Sequence, residues 1–379
     1  MNSNSFLLIS AVSVVVASSP FAPSLAQSTV ISSEAKPGVQ TAIDYTNAKP
    51  MEKLVQRAPT YNPVSGDPGP SGVVEGSEPK EVFRGKPVTL PKRKGTSDGV
   101  DSQAYGTFKH PFSTSRVQAK GLGNPSLSSK FPYRPAGQLA FNTPFGSFVC
   151  SASVIKDRVV VTAAHCVSEF GSGKFYTDFE FTPALEGTSA PYGVWTYKKV
   201  FALKSYLNGT DSCAVPGIVC ENDVAVLVMN DLKGQKIGNV TGKFGYGFGK
   251  FGYGYTNFLG NVINQLTQLG YPCGLDNCSR MEKNESFSYI DASSSDNQVI
   301  GSLMDGGSSG GPWLVNHGIP PALTGVSGYG AAHKRNIVTG VTSWGYVSDA
   351  IKEQGASPFK STNIKALVDK ACAEAPGNC

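Results

Sequence analysis

The sequence has little charge and no long apolar segment after its N-terminus. Charged residues make up 16% of its 379 residues, and the net charge of +5 is spread along the chain. The one dense basic cluster, Lys92-Arg93-Lys94, lies in a Pro- and Gly-rich stretch, which favours a solvated or processed linker over a nucleic-acid site. A bilayer span takes about 20 apolar residues, and no segment after residue 17 reaches that length. We therefore expect no nucleic-acid partner, and no membrane-spanning segment in the mature protein.

Residues 6–17 form a short apolar run near the N-terminus. The run is too short to span a bilayer, and Ser24-Leu25-Ala26 places small residues before Gln27, as signal-peptidase sites require. This pattern predicts a signal peptide over residues 1–26 and secretion into an extracellular or periplasmic space. Because no Lys or Arg precedes the run, a buried strand remains the alternative.

The sequence lacks the clustered Cys and His spacing, such as Cys-x-x-Cys, that structural zinc sites use. Its eight cysteines fall instead into four close pairs: Cys150 and Cys166, Cys213 and Cys220, Cys273 and Cys278, and Cys372 and Cys379. An even number of cysteines behind a signal peptide predicts disulfides formed in an oxidising compartment. Spacing does not fix their connectivity, although pairing between nearest neighbours is the economical arrangement. We expect no bound metal.

Residues 27–115 differ in composition from the rest of the chain. They are rich in Pro, Gly, Ser and charge, which predicts a prosegment or flexible N-terminal extension rather than a second core. The boundary is uncertain up to about residue 130, where the apolar pattern strengthens, and we expect residues 116–379 to form one domain. Within it, the aromatic and Gly-rich run of residues 244–255 favours a strand and a turn, with an aromatic binding surface as the alternative.

Residues 130–379 contain many short β-branched or aromatic runs bounded by Gly, Pro, Asn or Ser. The predicted strands are residues 138–141, 147–150, 158–162, 194–197, 224–229, 262–269, 299–302, 312–315 and 336–344. Because no helices alternate with them, they indicate an all-β sandwich or barrel rather than a parallel sheet. One helix is predicted near the C-terminus, capped by Thr362 or Asn363. Its apolar residues recur at helical spacing: Ile364, Leu367, Val368 and Ala371.

Histidine is scarce, and only one of the four histidines follows a strand-like run and precedes a cysteine. That residue, His165, is a candidate general base. The others, His110, His317 and His333, lie in polar contexts flanked by Gly or Pro, and we expect them on surface loops. A serine nucleophile needs such a base within hydrogen-bond reach, and the base needs an acid that fixes its tautomer.

Asp223 and Ser309 are the candidates for the acid and the nucleophile. Asp223 opens the apolar run of residues 224–228, where an unpartnered acid would be costly. Asp178 and Asp211 are weaker candidates for the same role because they lie in polar, loop-like stretches. Ser309 lies within Gly-Gly-Ser-Ser-Gly-Gly, whose glycines allow a tight turn. Apolar residues on both sides of this run argue against a flexible linker.

Three motifs together resemble those of the chymotrypsin-like serine peptidases, and the likeness covers roughly residues 130–379. They are Thr-Ala-Ala-His-Cys ending at Cys166, Asn-Asp-Val-Ala-Val-Leu starting at Asn222, and Gly-Ser-Ser-Gly-Gly-Pro starting at Gly307. The resemblance implies a double six-stranded β-barrel with a short C-terminal helix, and a Cys150–Cys166 disulfide. It also implies peptide-bond hydrolysis through an acyl-enzyme without a cofactor, with the amides of Gly307 and Ser309 as oxyanion donors.

Ser308 departs from the best-known members of this family. They have an Asp at that position, which pairs with a newly freed N-terminal amine to form the oxyanion hole. Ser308 cannot make this ion pair, and the bacterial V8-like glutamyl peptidases, which also lack the Asp, are more similar. Residues 136–154 and Gly270-Tyr-Pro fit that branch. We therefore expect a turn preformed by local hydrogen bonds, with residues 27–115 covering the cleft or aiding folding.

The resemblance assigns five residues to the substrate pocket: Leu303, Met304, Ser343, Trp344 and Gly345. The first two lie at the floor, and the Ser-Trp-Gly strand forms the wall. No carboxylate stands at the floor position, so the counter-charge for a substrate Arg or Lys is missing. Glutamyl-specific members carry a His two residues before the Trp, where this chain has Thr342. An apolar or small substrate side chain is the remaining expectation.

These observations predict the precursor of a secreted, monomeric serine endopeptidase that acts on protein or peptide substrates. An α/β-hydrolase also uses Gly-x-Ser-x-Gly, but that fold needs an acid and then a His after the serine, and no Asp or Glu separates Ser309 from His333. The alternative from another class is a catalytically inactive binding or effector protein on the same fold. Such proteins usually lose a member of the triad, whereas this chain keeps all three.

Overall fold

The computed structural model describes the following parts of the chain: residues 29–38, 40–56, 71–94, 104–106, 110–119, 126–249, 256–258, 261–290, 297–318, 334–348, 350–374 and 377–379. The predicted signal peptide, His333 and residues 250–255 of the aromatic run lie outside these ranges. Within them, no helix is long and apolar enough to cross a membrane.

Short strands precede the main body of the fold. They are β1 (Val30–Glu34), β2 (Lys49–Pro50), β3 (Leu54–Val55), β4 (Gly72–Val74), β5 (Val88–Thr89), β6 (Ala104–Gly106) and β7 (Phe112–Arg116). Most contain only two or three residues, which is too few to bury a face of their own. They gain stability by pairing with strands of the two barrels or with one another.

Six antiparallel strands close the first barrel. They are β8 (Ala136–Thr143), β9 (Gly146–Val154), β10 (Val159–Thr162), β11 (Thr177–Pro183), β13 (Trp195–Leu203) and β14 (Ala225–Met229), with the short β12 (Ser189–Ala190) paired to β5. The pairing runs β8–β9–β10–β14–β13–β11 and returns to β8. Large apolar side chains fill this barrel, and the fully buried ones include Phe141, Phe179, Phe181, Trp195 and Phe201.

Six antiparallel strands also close the second barrel. They are β17 (Asn261–Gly270), β18 (Glu282–Ile290), β19 (Gln298–Gly301), β20 (Pro312–Val315), β21 (Ile337–Tyr346) and β22 (Glu353–Pro358), preceded by β15 (Gly245–Phe248) and β16 (Thr256–Phe258). The pairing runs β17–β18–β19–β22–β21–β20 and returns to β17. The predicted all-β fold with two six-stranded barrels is thus confirmed.

The helices in the described ranges are short: α1 (Lys204–Leu207), α2 (Ile237–Thr241) and α3 (Ala366–Glu374). Three-residue 3-10 turns occur at Ala164–Cys166 and Asp276–Cys278, and a π-helical turn at Ser361–Lys365 leads into α3. The predicted C-terminal helix is confirmed, and its four apolar residues are buried. The N-cap residue is Lys360, however, and the predicted caps Thr362 and Asn363 lie within the π-helical turn, where Asn363 Oδ1 accepts the amide of Lys360 at 2.6 Å.

Four disulfides join the nearest neighbours in sequence: Cys150–Cys166, Cys213–Cys220, Cys273–Cys278 and Cys372–Cys379. The predicted pairing is therefore confirmed. The first bridge joins β9 to the turn that follows β10, and the last joins α3 to the residues that follow it.

The N-terminal strands add to both barrels. β1 pairs with β13 of the first barrel, and β7 pairs with β18 of the second. β2 and β3 each pair in parallel, with β9 and β21 respectively, so residues 49–55 pass from one barrel to the other. The division of the chain into a prosegment and a peptidase domain stays a prediction.

Candidate active site

His165 lies in the 3-10 turn directly after β10, and its side chain is 3% exposed. β10 reads Val-Val-Val-Thr, and all four residues are buried between β9 and β14. The Cys150–Cys166 disulfide ties the same turn to β9. A buried strand and a covalent bridge therefore support the imidazole on both sides.

Asp223 orients this imidazole with both of its oxygens. Oδ1 accepts the backbone amide of His165 at 2.8 Å, and Oδ2 accepts its ring Nδ1 at 2.8 Å. Ser343 Oγ donates to the same Oδ2 at 2.5 Å. With Nδ1 donating to the carboxylate, Nε2 is the nitrogen that can accept a proton. The pair thus has the geometry of a general base and its orienting acid.

Burial sets the electrostatics of this pair. It lowers the pKa of His165 below its usual value, an effect that Asp223 opposes and the Lys53 ammonium reinforces. Burial would raise the pKa of Asp223, but His165, Lys53 and Ser343 hold that pKa well below its usual range. The site therefore holds a neutral imidazole beside an ionised carboxylate at neutral pH.

The weaker acid candidates have other partners. Asp211 accepts the backbone amide of Asn222 at 2.9 Å and its side-chain amide at 2.6 Å, so it holds the loop just before Asp223. Asp178 accepts hydrogen bonds from Asn142 and Thr177. Asp223 is the candidate acid that the structure brings to His165.

Ser309 lies in a turn before β20 that requires glycine on both sides. Gly307 has a φ of 94° and Gly310 a φ of 78°, both in the region that side chains rarely adopt. The Gly-rich sequence predicted this turn.

Hydrogen bonds to both barrels fix the position of Ser309. Its carbonyl accepts the amide of Ser151 on β9 at 2.7 Å, and the amide of Gly310 donates to the carbonyl of Thr342 on β21 at 2.7 Å. A methyl group on Gly310 would lie 3.0 Å from the backbone nitrogen of Ala163, two residues before His165. The serine turn therefore packs directly against the segment that carries the base.

Ser308 is held by bonds within its own turn. Its Oγ and its amide both donate to the carbonyl of Asp305, at 2.6 and 3.1 Å, and Gln354 Nε2 donates to Ser308 Oγ at 3.1 Å. Local hydrogen bonds thus occupy the position where the best-known family members have an Asp. The activation route that we expect from this difference stays a prediction.

Four of the five predicted pocket residues line a cavity of about 270 Å³ that also includes Ser309: Leu303, Met304, Trp344 and Gly345. Ser343, the fifth, directs its hydroxyl to Asp223 instead of the cavity wall. The cavity brings these four positions together with Ser309, and their role as a substrate pocket stays a prediction.

A set of buried polar residues around this cavity was missed by sequence reasoning. Gln268 Nε2 donates to Thr342 Oγ1 at 2.9 Å and to Gln354 Oε1 at 2.6 Å, and Ser302 Oγ donates to Gln268 Oε1 at 2.8 Å. Ser302, Thr342 and Gln354 line the cavity. Isolated Gln and Ser residues in strands carry no motif, so only the paired strands reveal that they meet.

The prediction that His110 lies on a surface loop is wrong, whereas His317 is half-buried in the loop that follows β20. His110 is fully buried, and its Nδ1 lies 3.0 Å from Glu353 Oε1. His317 packs edge-on against Tyr133 at 4.9 Å between ring centroids, and burial lowers its pKa to about 4. Polar flanking residues misled the prediction for His110 because Glu353 and Phe287, from distant parts of the chain, cover it.

The sequence profile of the family described as Trypsin matches residues 123–365. The chain belongs to the trypsin family. This confirms the resemblance inferred from the three motifs.

Trypsin-family relatives include the glutamyl endopeptidase of Bacillus licheniformis, which is 26% identical over 121 residues. That match covers 32% of this chain and spans only 33% of the relative's own length. Among solved structures, protease Anisep from Arthrobacter nicotinovorans is 26% identical with a TM-score of 0.48, covering 65% of this chain and 98% of that one. The thermostable serine protease AL20 from an extremophilic microorganism is 22% identical with a TM-score of 0.48, covering 64% and 98%.

Proposed function

We propose that the chain is the precursor of a secreted serine endopeptidase with His165, Asp223 and Ser309 as its triad. The observation that carries this proposal is the pair of hydrogen bonds that Asp223 accepts from the backbone amide and the ring of His165. A merely structural histidine does not require this geometry, whereas a general base needs its tautomer and orientation fixed. Family membership and the Gly-rich turn of Ser309 support the same function.

In the proposed reaction, Ser309 Oγ attacks the substrate carbonyl carbon while its proton passes to His165 Nε2. The tetrahedral oxyanion is stabilised by the amides of Gly307 and Ser309. The imidazolium, stabilised by Asp223, then gives its proton to the leaving amine, and the C–N bond breaks to leave an acyl-enzyme. Water repeats the sequence and releases the acid. No step requires a cofactor.

The cavity beside Ser309 is the proposed site for the side chain on the acyl side of the cleaved bond. At the predicted floor positions, Leu303 and Met304 bring no charge, and Thr342 and Gln354 both bond Gln268, although Asp305, Lys352 and Glu353 also line the cavity. We therefore keep the expectation of an uncharged, apolar or small side chain. The glutamyl preference named for the Bacillus relative is not carried over because Thr342 stands where that branch has a His.

Secretion and maturation complete the proposal. Four disulfides among eight cysteines fit an oxidising compartment. We propose that residues 1–26 are removed as a signal peptide, that residues 27–115 act as a prosegment, and that residues 116–379 work as a monomeric peptidase domain on peptide substrates.

Peptide hydrolysis by purified protein tests the triad. Cleavage of a peptide library is expected with the wild type, and Ser309→Ala and His165→Ala are each expected to lower kcat by about 10⁴-fold or more. Ser172→Ala, at an exposed serine outside the site, is the matched control and is expected to leave turnover unchanged. Wild-type turnover by Ser309→Ala would reject Ser309 as the nucleophile, whereas no cleavage by any of the proteins would favour a non-catalytic binding protein.

A further inference from the structure

Residues 49–55 cross the mouth of the proposed active site from one barrel to the other. The amide of Met51 donates to the carbonyl of Val149 on β9 at 2.9 Å. Beyond it, the amide of Gly345 on β21 donates to the carbonyl of Lys53 at 2.9 Å. Both neighbouring strands run parallel to the segment. The segment therefore spans the cleft that contains Ser309, bonded at each end.

The carbonyl of Met51 accepts a hydrogen bond from an amide that we propose as an oxyanion donor. The amide of Gly307 donates to the carbonyl of Met51 at 3.1 Å. An amide carries one hydrogen, so a Gly307 amide committed to this bond does not stabilise a substrate oxyanion at the same time. Glu52, Lys53 and Leu54 also line the cavity proposed for the substrate side chain.

Lys53 places a positive charge on the catalytic acid. Its Nζ lies 3.3 Å from Asp223 Oδ2, donates to Tyr206 Oη at 2.5 Å, and lies 4.7 Å from the centroid of the Tyr206 ring. The Lys53 side chain is 11% exposed, and that of Asp223 is fully buried. A cation at this position opposes the imidazolium that His165 must become during the reaction. Lys53 therefore disfavours the step that Asp223 supports.

The chain direction of residues 49–55 through the cleft is opposite to that of a bound substrate. The pocket for the side chain on the acyl side lies beside β21, so the N-terminal half of a substrate must follow β21 and its C-terminal half must leave toward β9. In residues 49–55 the order is reversed, because β2 lies on β9 and β3 lies on β21. A reversed chain places its amine and acyl groups on the wrong sides of Ser309 and His165 for cleavage.

We propose that residues 49–55 are an autoinhibitory segment that fills the cleft in reverse, with Met51 on the oxyanion site and Lys53 on the catalytic acid. This inference rests on the proposed function of the triad. Lys53 is the residue to change, since Asp223 keeps His165 and Ser343 as partners without it. Lys49, an exposed lysine of the same segment, is the matched control.

The first measurement does not depend on activity. Amide hydrogen exchange is followed by mass spectrometry in the full chain carrying Ser309→Ala, with and without a second change. Adding Lys53→Ala is expected to speed exchange at least about tenfold in the peptides that contain Met51, Gly307 and Gly345, because one partner of a buried ion pair is lost. Adding Lys49→Ala is expected to leave exchange unchanged. Unchanged exchange in both would show that Lys53 does not seat the segment, and would overturn the proposal.

The second measurement follows the rate at which a fluorophosphonate labels Ser309 in the full chain with the triad intact. Lys53→Ala is expected to raise this rate by about tenfold or more, whereas Lys53→Arg, which keeps the charge, and Lys49→Ala are expected to match the wild type. Equal labelling of wild type and Lys53→Ala would overturn the inhibitory role while leaving the proposed function intact. No labelling of any of the proteins would instead reject the triad, and the segment would then be a structural part of the fold. Cleavage of the peptide bond after Met51 would show that residues 49–55 are a substrate of the enzyme rather than its inhibitor.

Discussion

The two barrels are closed by the same number of strands but are filled differently. The first is packed with large apolar side chains, among them Phe141, Phe181 and Trp195, all fully buried. The second has, among the residues that the structure describes, a small apolar cluster around Trp313, and its Leu269, Leu314 and Val341 join the large apolar core of the first barrel. Beside the small cluster lie buried polar side chains such as Gln268 that bond one another across strands. The proposed base and acid come from the first barrel, whereas the proposed nucleophile and pocket come from the second.

This difference indicates that the first barrel holds the His165 turn in place, whereas the second shapes the cavity. Close apolar packing holds the His165 turn rigidly and excludes water, which lowers the pKa of the imidazole. Hydrogen bonds between strands shape the second barrel, so that polar groups such as Gln354 hold both the serine turn and the cavity wall. We therefore expect apolar truncations in the first barrel to cost mainly stability, and polar replacements in the second to alter stability less and substrate choice more.

The largest of these effects is expected at Phe181. Phe181→Ala removes a fully buried ring between β8 and β13, and is expected to lower the free energy of unfolding by about 3–5 kcal/mol. Phe145→Ala is the matched control, since Phe145 lies in the turn between β8 and β9 and is 80% exposed. Urea unfolding followed by circular dichroism measures both. Equal losses in the two variants would show that the first barrel does not depend on its apolar filling.

A smaller effect is expected at Gln268 in the second barrel. Gln268→Leu deprives Ser302, Thr342 and Gln354 of a shared partner, and is expected to cost about 1–3 kcal/mol of unfolding free energy. It is also expected to change which peptides are cleaved. Gln265→Leu, at an exposed position of the same strand, is the control for both measurements. If the two variants keep identical stability and cleavage profiles, the polar set does not shape the pocket.

The smallest expected effect is a shift in the titration of His165. Its pKa is lowered by burial and further by Lys53, so the imidazole of the full chain is expected to gain a proton only below its usual value of 6.5. Because the unfolded chain binds that proton at higher pH, the stability from this group is present above pH 6.5 and is lost as the pH falls. Lys53→Ala is expected to raise the pKa.

Proton NMR of the ring Cε1–H signal measures this titration in the Ser309→Ala background, and the chain has only four histidines to assign. Lys49→Ala is expected to leave the titration unchanged. A His165 pKa at or above 6.5 in the full chain, or one that does not move in Lys53→Ala, would contradict the described electrostatics.

The sequence predicted the parts of this structure that carry strong local signals. β10 and β14 are continuous apolar runs, and β21 is rich in β-branched residues, so each was predicted as a strand. β18, which reads Glu-Lys-Asn-Glu-Ser-Phe-Ser-Tyr-Ile, and β22, which contains Gly and Pro, were missed. Their buried polar residues find partners far away in the sequence, for example where Asn284 Oδ1 accepts the hydroxyl of Thr114 at 2.6 Å.

The candidate site shows the same limit. His165, Asp223 and Ser309 were found because each lies in a short motif whose residue types serve one chemistry. Lys53 was not found, because a lysine in a Pro- and Gly-rich segment gives no local signal of a partner 170 residues away. The contact between Lys53 and Asp223 forms because residues 49–55 cross the cleft in the folded chain. It therefore depends on tertiary packing, and the spacing of residues in the sequence does not predict it.

The most direct test of the account is the mass of the Ser309 peptide after treatment with a fluorophosphonate. The account predicts that the full chain carrying Lys53→Ala gains one probe, and that tandem mass spectrometry places it on Ser309. It also predicts that adding His165→Ala slows this labelling by about 10⁴-fold, in line with the loss of a triad member. Labelling at Ser308 or at another serine, or labelling of Ser309 that is as fast without His165, would contradict the assignment of the triad.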